Sequence, residues 1–140
     1  MRITVFQKMK RRDLRMAVPQ GTLYEREYRQ EIVKMLLNNP QEFNRWRERS
    51  AIEEVDLRGV DLFGAELEGV NFHGADLSYA TLRGANLAKA NLENAQLKGA
   101  DLRGITYDGV KLRGSNIWNA QVSENFFHYY VKQLWKGLVH

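Results

Sequence analysis

The sequence predicts a coiled solenoid that turns once in every short repeat and has a helix at each end. Three observations predict it: a five-residue repeat, a fixed pattern of large and small apolar residues within that repeat, and helix signals on both sides of it. The chain has 140 residues, 44% of them apolar, and no cysteine. This length suits one small domain, and the absence of thiols excludes disulfides, thiolate metal sites and a cysteine nucleophile.

The repeat fills the middle of the chain. Residues 55–124 divide into 14 units without an insertion, from VDLRG to AQVSE. The third position is Leu in ten units, the first is Ala or Val in twelve, the second is mostly Asp or Asn, and the fifth is Gly in nine. A period of five fits neither a helix nor a regular strand. We therefore expect a corner in every unit, with Asp or Asn bonding to nearby backbone and Gly at positive φ.

These units resemble the A-(D/N)-L-X-X repeat of the pentapeptide-repeat family over half of the chain. The resemblance implies a mainly β fold, a right-handed quadrilateral β-helix in which four units make one coil. With four units to a coil, the 14 units make about 3.5 coils, spaced by about 4.8 Å as neighbouring strands are. The flanking residues predict an α-helical cap at each end. Residues 50–124 are assigned to this β-helix, since residues 50–54 have the form of a degenerate first unit.

The third-position side chains are the predicted interior. Coils of four units place residues twenty apart in one column, so large third-position and small first-position residues fill the interior layer by layer. The predicted core consists of Leu57, Leu62, Leu67, Phe72, Leu77, Leu82, Leu87, Leu92, Leu97, Leu102, Tyr107, Leu112, Ile117 and Val122.

Residues 22–49 are predicted to form a helical N-terminal cap. Thr22 begins a capping box, and the helix that follows ends before Pro40, which starts a second helix. The second helix carries Phe43 and Trp46, and it resembles the short Trp-Arg helix that precedes the first coil in cyanobacterial members of the family. We expect both aromatic residues to cover the first coil.

Residues 125–140 are predicted to form a C-terminal capping helix with Ser123 as its N-cap. Its apolar stripe is broader than one cap needs, and surplus apolar surface indicates a partner. Phe127, Tyr130 and Trp135 are the candidate contact residues. Dimerisation through the C-terminal end is known for some members of the family, so the helix either caps the coil alone or also joins two copies in a homodimer.

Residues 1–21 form a basic N-terminal arm. The repeat carries 7 basic and 9 acidic residues, so the net charge of +4 comes from the flanks. The arm is a candidate site for nucleic acid or an anionic membrane surface, and a solvated tail is the alternative. Its candidate contact residues are Lys8, Lys10, Arg11, Arg12 and Arg15.

The sequence predicts no catalytic, metal or cofactor site. His73, His128 and His140 lack ligand spacing, and no nucleophile-elbow, zinc-protease, P-loop or dinucleotide motif occurs. Turn hydrogen bonding explains the second-position Asp residues without an acid–base role. The sequence has neither a signal peptide nor a run of about 18 apolar residues. We therefore expect a cytoplasmic protein that is not an enzyme and has no cofactor. The resemblance to cyanobacterial members of the family implies a bacterial protein.

Three functions remain as hypotheses. The first is a structural or interaction module that presents a rigid β-helix to a protein partner. The second is binding of nucleic acid or a membrane surface by the arm. The third is inhibition of DNA gyrase, a topoisomerase, by DNA mimicry, which certain family members perform as long acidic dimers. A repeat region that is short and carries only two excess acidic residues disfavours the third.

Overall fold

The computed structural model describes residues 23–50, 52 and 54–138. This part of the chain contains three helices: α1 (Leu23–Asn38), α2 (Pro40–Ser50) and α3 (Glu124–Leu138). The predicted break between the first two helices is confirmed, because α1 ends at Asn38 and α2 begins at Pro40. Among the described residues, no helix is long and apolar enough to cross a membrane.

Between α2 and α3 the chain winds in coils of twenty residues. Ten parallel bridges join each second-position residue to the one twenty positions later, from Asp56↔Asp76 to Asp101↔Gln121. The Leu57 amide donates to the Asp76 carbonyl at 2.8 Å, and the Asp76 amide donates to the Val55 carbonyl at 2.9 Å. Four units therefore make one coil, and neighbouring coils are joined by a backbone hydrogen-bond ladder.

The bridges in this region are each one residue long. Every unit turns after three residues, so no unit is long enough for a ladder of several paired residues. The expectation of a mainly β chain is therefore corrected for residues 54–123, where the structure has isolated bridges and turns instead of extended strands. The coil still has the parallel pairing of a β-helix.

Two local features of the repeat form the corners. Where the second position is Asp or Asn, its side chain accepts a hydrogen bond from the amide two residues later, as Asp61 Oδ1 does from Phe63 at 3.0 Å. The fifth-position residue has positive φ at all thirteen corners from Gly59 to Asn119, nine of which are glycine. Both features were predicted from the repeat, and the positive φ places a tight turn at every one of these corners.

Some corners need glycine for space as well as for φ. The ring of Tyr79, itself at positive φ, lies against Gly99 in the next coil. A Cβ atom on Gly99 would come within 2.6 Å of two ring carbons of Tyr79. A Cβ on Gly104 would meet nothing nearer than 3.8 Å outside its chain neighbours. A side chain at one corner is thus accommodated by a glycine twenty residues later.

The first and third positions of the repeat form the interior. Eleven of the fourteen third-position side chains expose at most 1% of their surface. The other three, Tyr107, Ile117 and Val122, are only partly buried. They belong to the last coil, which has no further coil above it, so the prediction of a uniformly buried column is corrected at this end.

Candidate interaction sites at the ends of the coil

The lower edge of the first coil is closed by polar side chains of α2. Asn44 Nδ2 donates to the Gly69 carbonyl at 3.0 Å, and Asn44 Oδ1 accepts from the Asn71 amide at 2.8 Å. Arg47 Nη2 donates to the His73 carbonyl at 2.7 Å. A buried backbone group without a partner costs about 1–3 kcal/mol. These side chains therefore take the place of a coil below.

Aromatic residues close the interior at the same end. Phe43 is fully buried, with its ring centroid 5.7 Å from that of Phe72 in the first coil. Trp46 packs beside Phe43 at 5.6 Å and edge-on to Tyr28 of α1 at 6.3 Å. Burial raises the pKa of Tyr28 to about 12. Phe43 thus lies on the first coil, as the sequence predicted, whereas Trp46 packs against Phe43 and α1.

An ion-pair network joins α1 to the first coil. Arg29 Nη2 lies 2.7 Å from Asp56 Oδ2, and Arg29 Nη1 donates to the Arg58 carbonyl at 3.2 Å. Arg58 donates to the same carboxylate through Nε at 2.9 Å and Nη2 at 2.8 Å. The hydrogen bonds from Arg58 are the main reason that the pKa of Asp56 falls to about 2. The Asp56 carboxylate is therefore held by two guanidinium groups.

A groove of about 510 Å³ runs between α1 and the first coil. One wall is a stripe of α1 residues at helical spacing, and the other is the corner between the first two units of the coil. The lining residues are Arg26, Arg29, Gln30, Val33, Lys34, Leu37, Asn38, Arg58, Gly59, Val60 and Asp61. Four of them are basic and one is acidic, so this wall of the molecule carries excess positive charge.

The upper end of the coil is closed by aromatic residues of α3. The Phe126 ring lies 5.2 Å from that of Tyr107, and the Tyr129 ring lies 5.1 Å from it. The Tyr129 hydroxyl donates to the Val110 carbonyl at 3.0 Å, and the Tyr130 hydroxyl donates to the Ser115 carbonyl at 2.8 Å. In lower coils, such first-position carbonyls accept an amide of the coil above. The two phenols therefore replace missing amides.

The predicted start of α3 is confirmed by its cap. The Phe126 amide donates to Ser123 Oγ at 3.2 Å, so Ser123 satisfies one of the first helical amides. Tyr130, predicted as an interaction residue, is only 9% exposed and its hydroxyl is already bonded within the chain. That prediction is corrected, because Tyr130 lies on the side of α3 that packs on the coil.

The solvent-exposed part of α3 carries four large apolar residues among polar ones such as Glu124 and His128. We call these four residues the α3 outer face. Phe127 is 49% exposed and Trp135 is 64% exposed. Trp118, on the last coil, is 73% exposed. The outer face consists of Phe127, Leu134, Trp135 and Leu138. Of the three interaction residues predicted in this helix, two thus belong to the exposed side.

The other predicted residues are not brought into a chemical site. Lys8, Lys10, Arg11, Arg12 and Arg15 lie outside the described residues, so binding through the basic arm stays a prediction. His73 is exposed, and its Nε2 lies 3.2 Å from the side-chain nitrogen Nδ2 of Asn94. In the ranges that the structure describes, no three His, Asp or Glu residues are grouped so that they could hold a metal ion.

The sequence did not predict the hydrogen bonds that polar residues of α1 and α2 make with the first coil. Arg29, Asn44 and Arg47 have the ordinary pattern of polar residues on helices, and nothing in the repeat pointed to them. The Asp-Leu-Arg order of the first unit was the available signal for its ion pair. It recurs at Asp101 and Arg103, where the guanidinium and carboxylate groups meet at 2.7 and 2.8 Å.

The profile of one protein family, described as pentapeptide repeats, matches the chain. It occurs in eight copies, and the matched segments are residues 50–78, 56–94, 65–104 and 90–124. Together these segments span more than half of the chain. Pentapeptide repeat proteins are generally non-enzymatic structural modules. No curated protein sequence matches the chain.

Solved structures of similar proteins share the repeat. A pentapeptide repeat protein from the thylakoid lumen of Arabidopsis thaliana is 29% identical, with a TM-score of 0.38, over 55% of this chain and 57% of that one. One from Nostoc PCC 7120 is 26% identical, with a TM-score of 0.38, over 51% and 79%. One from the cyanobacterium Cyanothece 51142 is 36% identical, with a TM-score of 0.30, over 50% and 41%. The chain thus matches little more than half of the Arabidopsis protein.

Proposed function

This chain belongs to the pentapeptide-repeat family, and from that premise we propose that it is a non-enzymatic interaction module. We propose that the coil is the right-handed quadrilateral β-helix that membership of the family implies. With four units to a coil, its fourteen five-residue units make about 3.5 coils. It presents flat faces to a protein partner, and the α3 outer face joins it to a second copy of the chain. Residues 22–49 and 125–140 act as its caps.

The two-sided character of α3 is the main support for this proposal. One side buries Phe126 and Tyr130 against the last coil. The other side leaves Trp135 and Leu138 exposed at 64% and 79%, although a cap needs only one apolar side. Large exposed apolar groups clustered on one surface are typical of protein–protein contacts. The outer face therefore has more apolar surface than capping explains.

A second copy is the occupant that best fits the outer face. The face runs along one helix, so two copies related by a twofold axis would place the same apolar residues against each other. The last coil also leaves Ile117 and Val122 only partly buried. A dimer formed at this end would cover apolar surface that α3 leaves open, and the hydrophobic effect would favour it.

The oligomeric state of the full chain tests the proposal. We expect the parent to sediment as a dimer, and the Trp135→Ser, Leu138→Ser double variant to sediment as a monomer. Phe63→Ser is the matched control, because Phe63 is 66% exposed but lies on the first coil, and this variant is expected to remain a dimer. Circular dichroism checks that each variant keeps its helices. A monomeric parent at every concentration would contradict the dimer, and absence of any stoichiometric partner in a pull-down would contradict the interaction module.

A further inference from the structure

The groove between α1 and the first coil is separate from the α3 outer face. It lies at the opposite end of the coil, and its volume of about 510 Å³ is within the usual range of about 300–1,000 Å³ for binding sites. Val33, Leu37 and Val60 are the apolar residues that line it. Leu37 is 52% exposed there, although it belongs to a helix whose other apolar side is buried in the N-terminal cap.

The rim of the groove is basic. Arg26 and Lys34 are solvent-exposed and lie on the same stripe of α1 as Leu37. Arg29 and Arg58 also line the groove, and both bind the Asp56 carboxylate beside it at 2.7–2.9 Å. Arg26 and Lys34 are exposed at the same groove, so a carboxylate of a partner would meet complementary charge there.

The groove also borders the edge of the backbone ladder. In the upper coils a second-position amide donates to a carbonyl in the coil below, as the Thr81 amide does to Val60 at 2.9 Å. Asp61 has the same position in the first coil and lines the groove. An extended peptide in the groove would offer its carbonyl groups to this edge, which is the way strands add to an open sheet edge.

We propose that this groove binds an extended acidic segment of a partner protein. Its carboxylates pair with Arg26 and Lys34, an apolar side chain packs on Val33 and Leu37, and its backbone lies along the edge at Asp61. The chain's own residues 1–22 carry six basic residues and one acidic residue, so their charge does not suit this site. The apolar lining residues and the backbone edge at Asp61 favour a peptide over a nucleic acid.

Fluorescence anisotropy on the full chain tests this site. The probe is a short labelled peptide that alternates glutamate with leucine, compared with a peptide that alternates lysine with leucine and with a single-stranded oligonucleotide. We expect only the glutamate peptide to bind, and its affinity to fall with added salt. The Arg26→Glu, Lys34→Glu double variant should bind it at least about tenfold more weakly.

Matched variants distinguish binding in the groove from a general effect of the net charge of the protein. Lys98→Glu with Arg113→Glu makes the same change in net charge on exposed coil residues outside the groove, and it should leave affinity within about twofold. Leu37→Ser should weaken binding several-fold, whereas Leu37→Met should retain it. The proposal would be overturned if the parent did not bind the glutamate peptide, or if it bound the lysine peptide equally well. It would also be overturned if both double variants lost the same affinity, or if the oligonucleotide bound more tightly than the peptide.

This outcome is independent of the dimer. The Arg26→Glu, Lys34→Glu variant should keep the oligomeric state of the parent, because α1 and α3 lie at opposite ends. The variant with Trp135→Ser and Leu138→Ser should in turn keep its affinity for the glutamate peptide. A negative result for peptide binding would therefore leave the dimer test unaffected, and a negative result for the dimer would leave the peptide test unaffected.

Discussion

Each end of the coil has backbone groups and apolar side chains that no further coil covers, and different residues cover them at the two ends. At the lower end, Asn44 and Arg47 supply hydrogen bonds to the backbone edge while Phe43 closes the interior. At the upper end, the hydroxyls of Tyr129 and Tyr130 supply the hydrogen bonds. The lower cap is thus built from polar, charged and aromatic groups, whereas the upper cap is almost entirely aromatic.

The burial of the outermost coils shows what this difference does. Leu57 and Leu62 in the first coil are fully buried, whereas Ile117 and Val122, in the same columns of the last coil, are only partly buried. Two helices cover the lower end and one covers the upper end. The lower cap therefore buries its coil more completely than the upper cap does, and the proposed dimer would cover the apolar surface that remains at the upper end.

The largest expected effect is that of removing the aromatic closure of the lower end. Phe43→Ala should reduce the free energy of unfolding by about 3–5 kcal/mol, because it opens a cavity beneath Phe72. Phe127→Ala, on the exposed side of α3, should change monomer stability by no more than about 0.5 kcal/mol. Denaturant unfolding at low protein concentration measures both, and similar losses for the two variants would contradict the comparison.

The second effect compares two members of one core column. Leu57→Ala in the first coil should cost about 2–5 kcal/mol, as for other fully buried leucines. Ile117→Ala in the last coil should cost about 1–2 kcal/mol, because part of that side chain already contacts water. Thermal unfolding of the two variants is the measurement. An Ile117 variant as unstable as the Leu57 variant would show that the upper end is sealed as well as the lower.

The third effect concerns the hydrogen bonds of the caps. Asn44→Ala removes two bonds to the first coil and should cost about 1–3 kcal/mol, whereas Tyr130→Phe removes one and should cost about 0.5–1.5 kcal/mol. Hydrogen exchange adds a local readout. We expect faster exchange of the Asn71 amide in the Asn44 variant, and unchanged protection there would argue against the capping role.

The smallest expected effect is on the pH dependence of stability, and it comes from Asp56 at the lower end. The pKa of Asp56 in the folded protein is about 2, below the value of about 3.9 in an unfolded chain. Its carboxylate therefore stabilises the fold above about pH 4, and this contribution is lost as the pH falls through about 2. Solvent screens the pair with Arg29, so the effect is modest.

Thermal unfolding between neutral and acidic pH measures this contribution. Asp56→Asn should be less stable than the parent near neutrality and should lose less stability on acidification. Asp101, whose pKa Arg103 also lowers to about 2, remains in that variant and keeps part of the acid dependence. Tyr130→Phe should follow the acid dependence of the parent, because a phenol stays protonated throughout this range. Identical acid profiles for the parent and the Asp56 variant would contradict the role of the ion pair.

Much of the coil was predictable because its determinants are local. The Asp61 turn bond and the positive φ of Gly59 each arise within one unit, so the repeat predicts them directly. Once the coil length of twenty residues is known, the pairing of Tyr79 with Gly99 can also be read from the sequence. The candidate sites were less predictable, since they depend on how separate elements pack.

The sequence alone determined the period, the corners and the identity of the core positions, because each depends on residues within a five-residue unit and on its regular stacking. It also placed the start of α2 at Pro40 and the N-cap of α3 at Ser123, whereas Thr22, the predicted start signal of α1, lies outside the described residues. Only the tertiary structure decided which side of α3 faces solvent, that Asn44 and Arg47 meet the first-coil edge, and that α1 forms a basic groove with Arg58. These features depend on how whole helices are oriented against the coil, and no local pattern specifies that orientation.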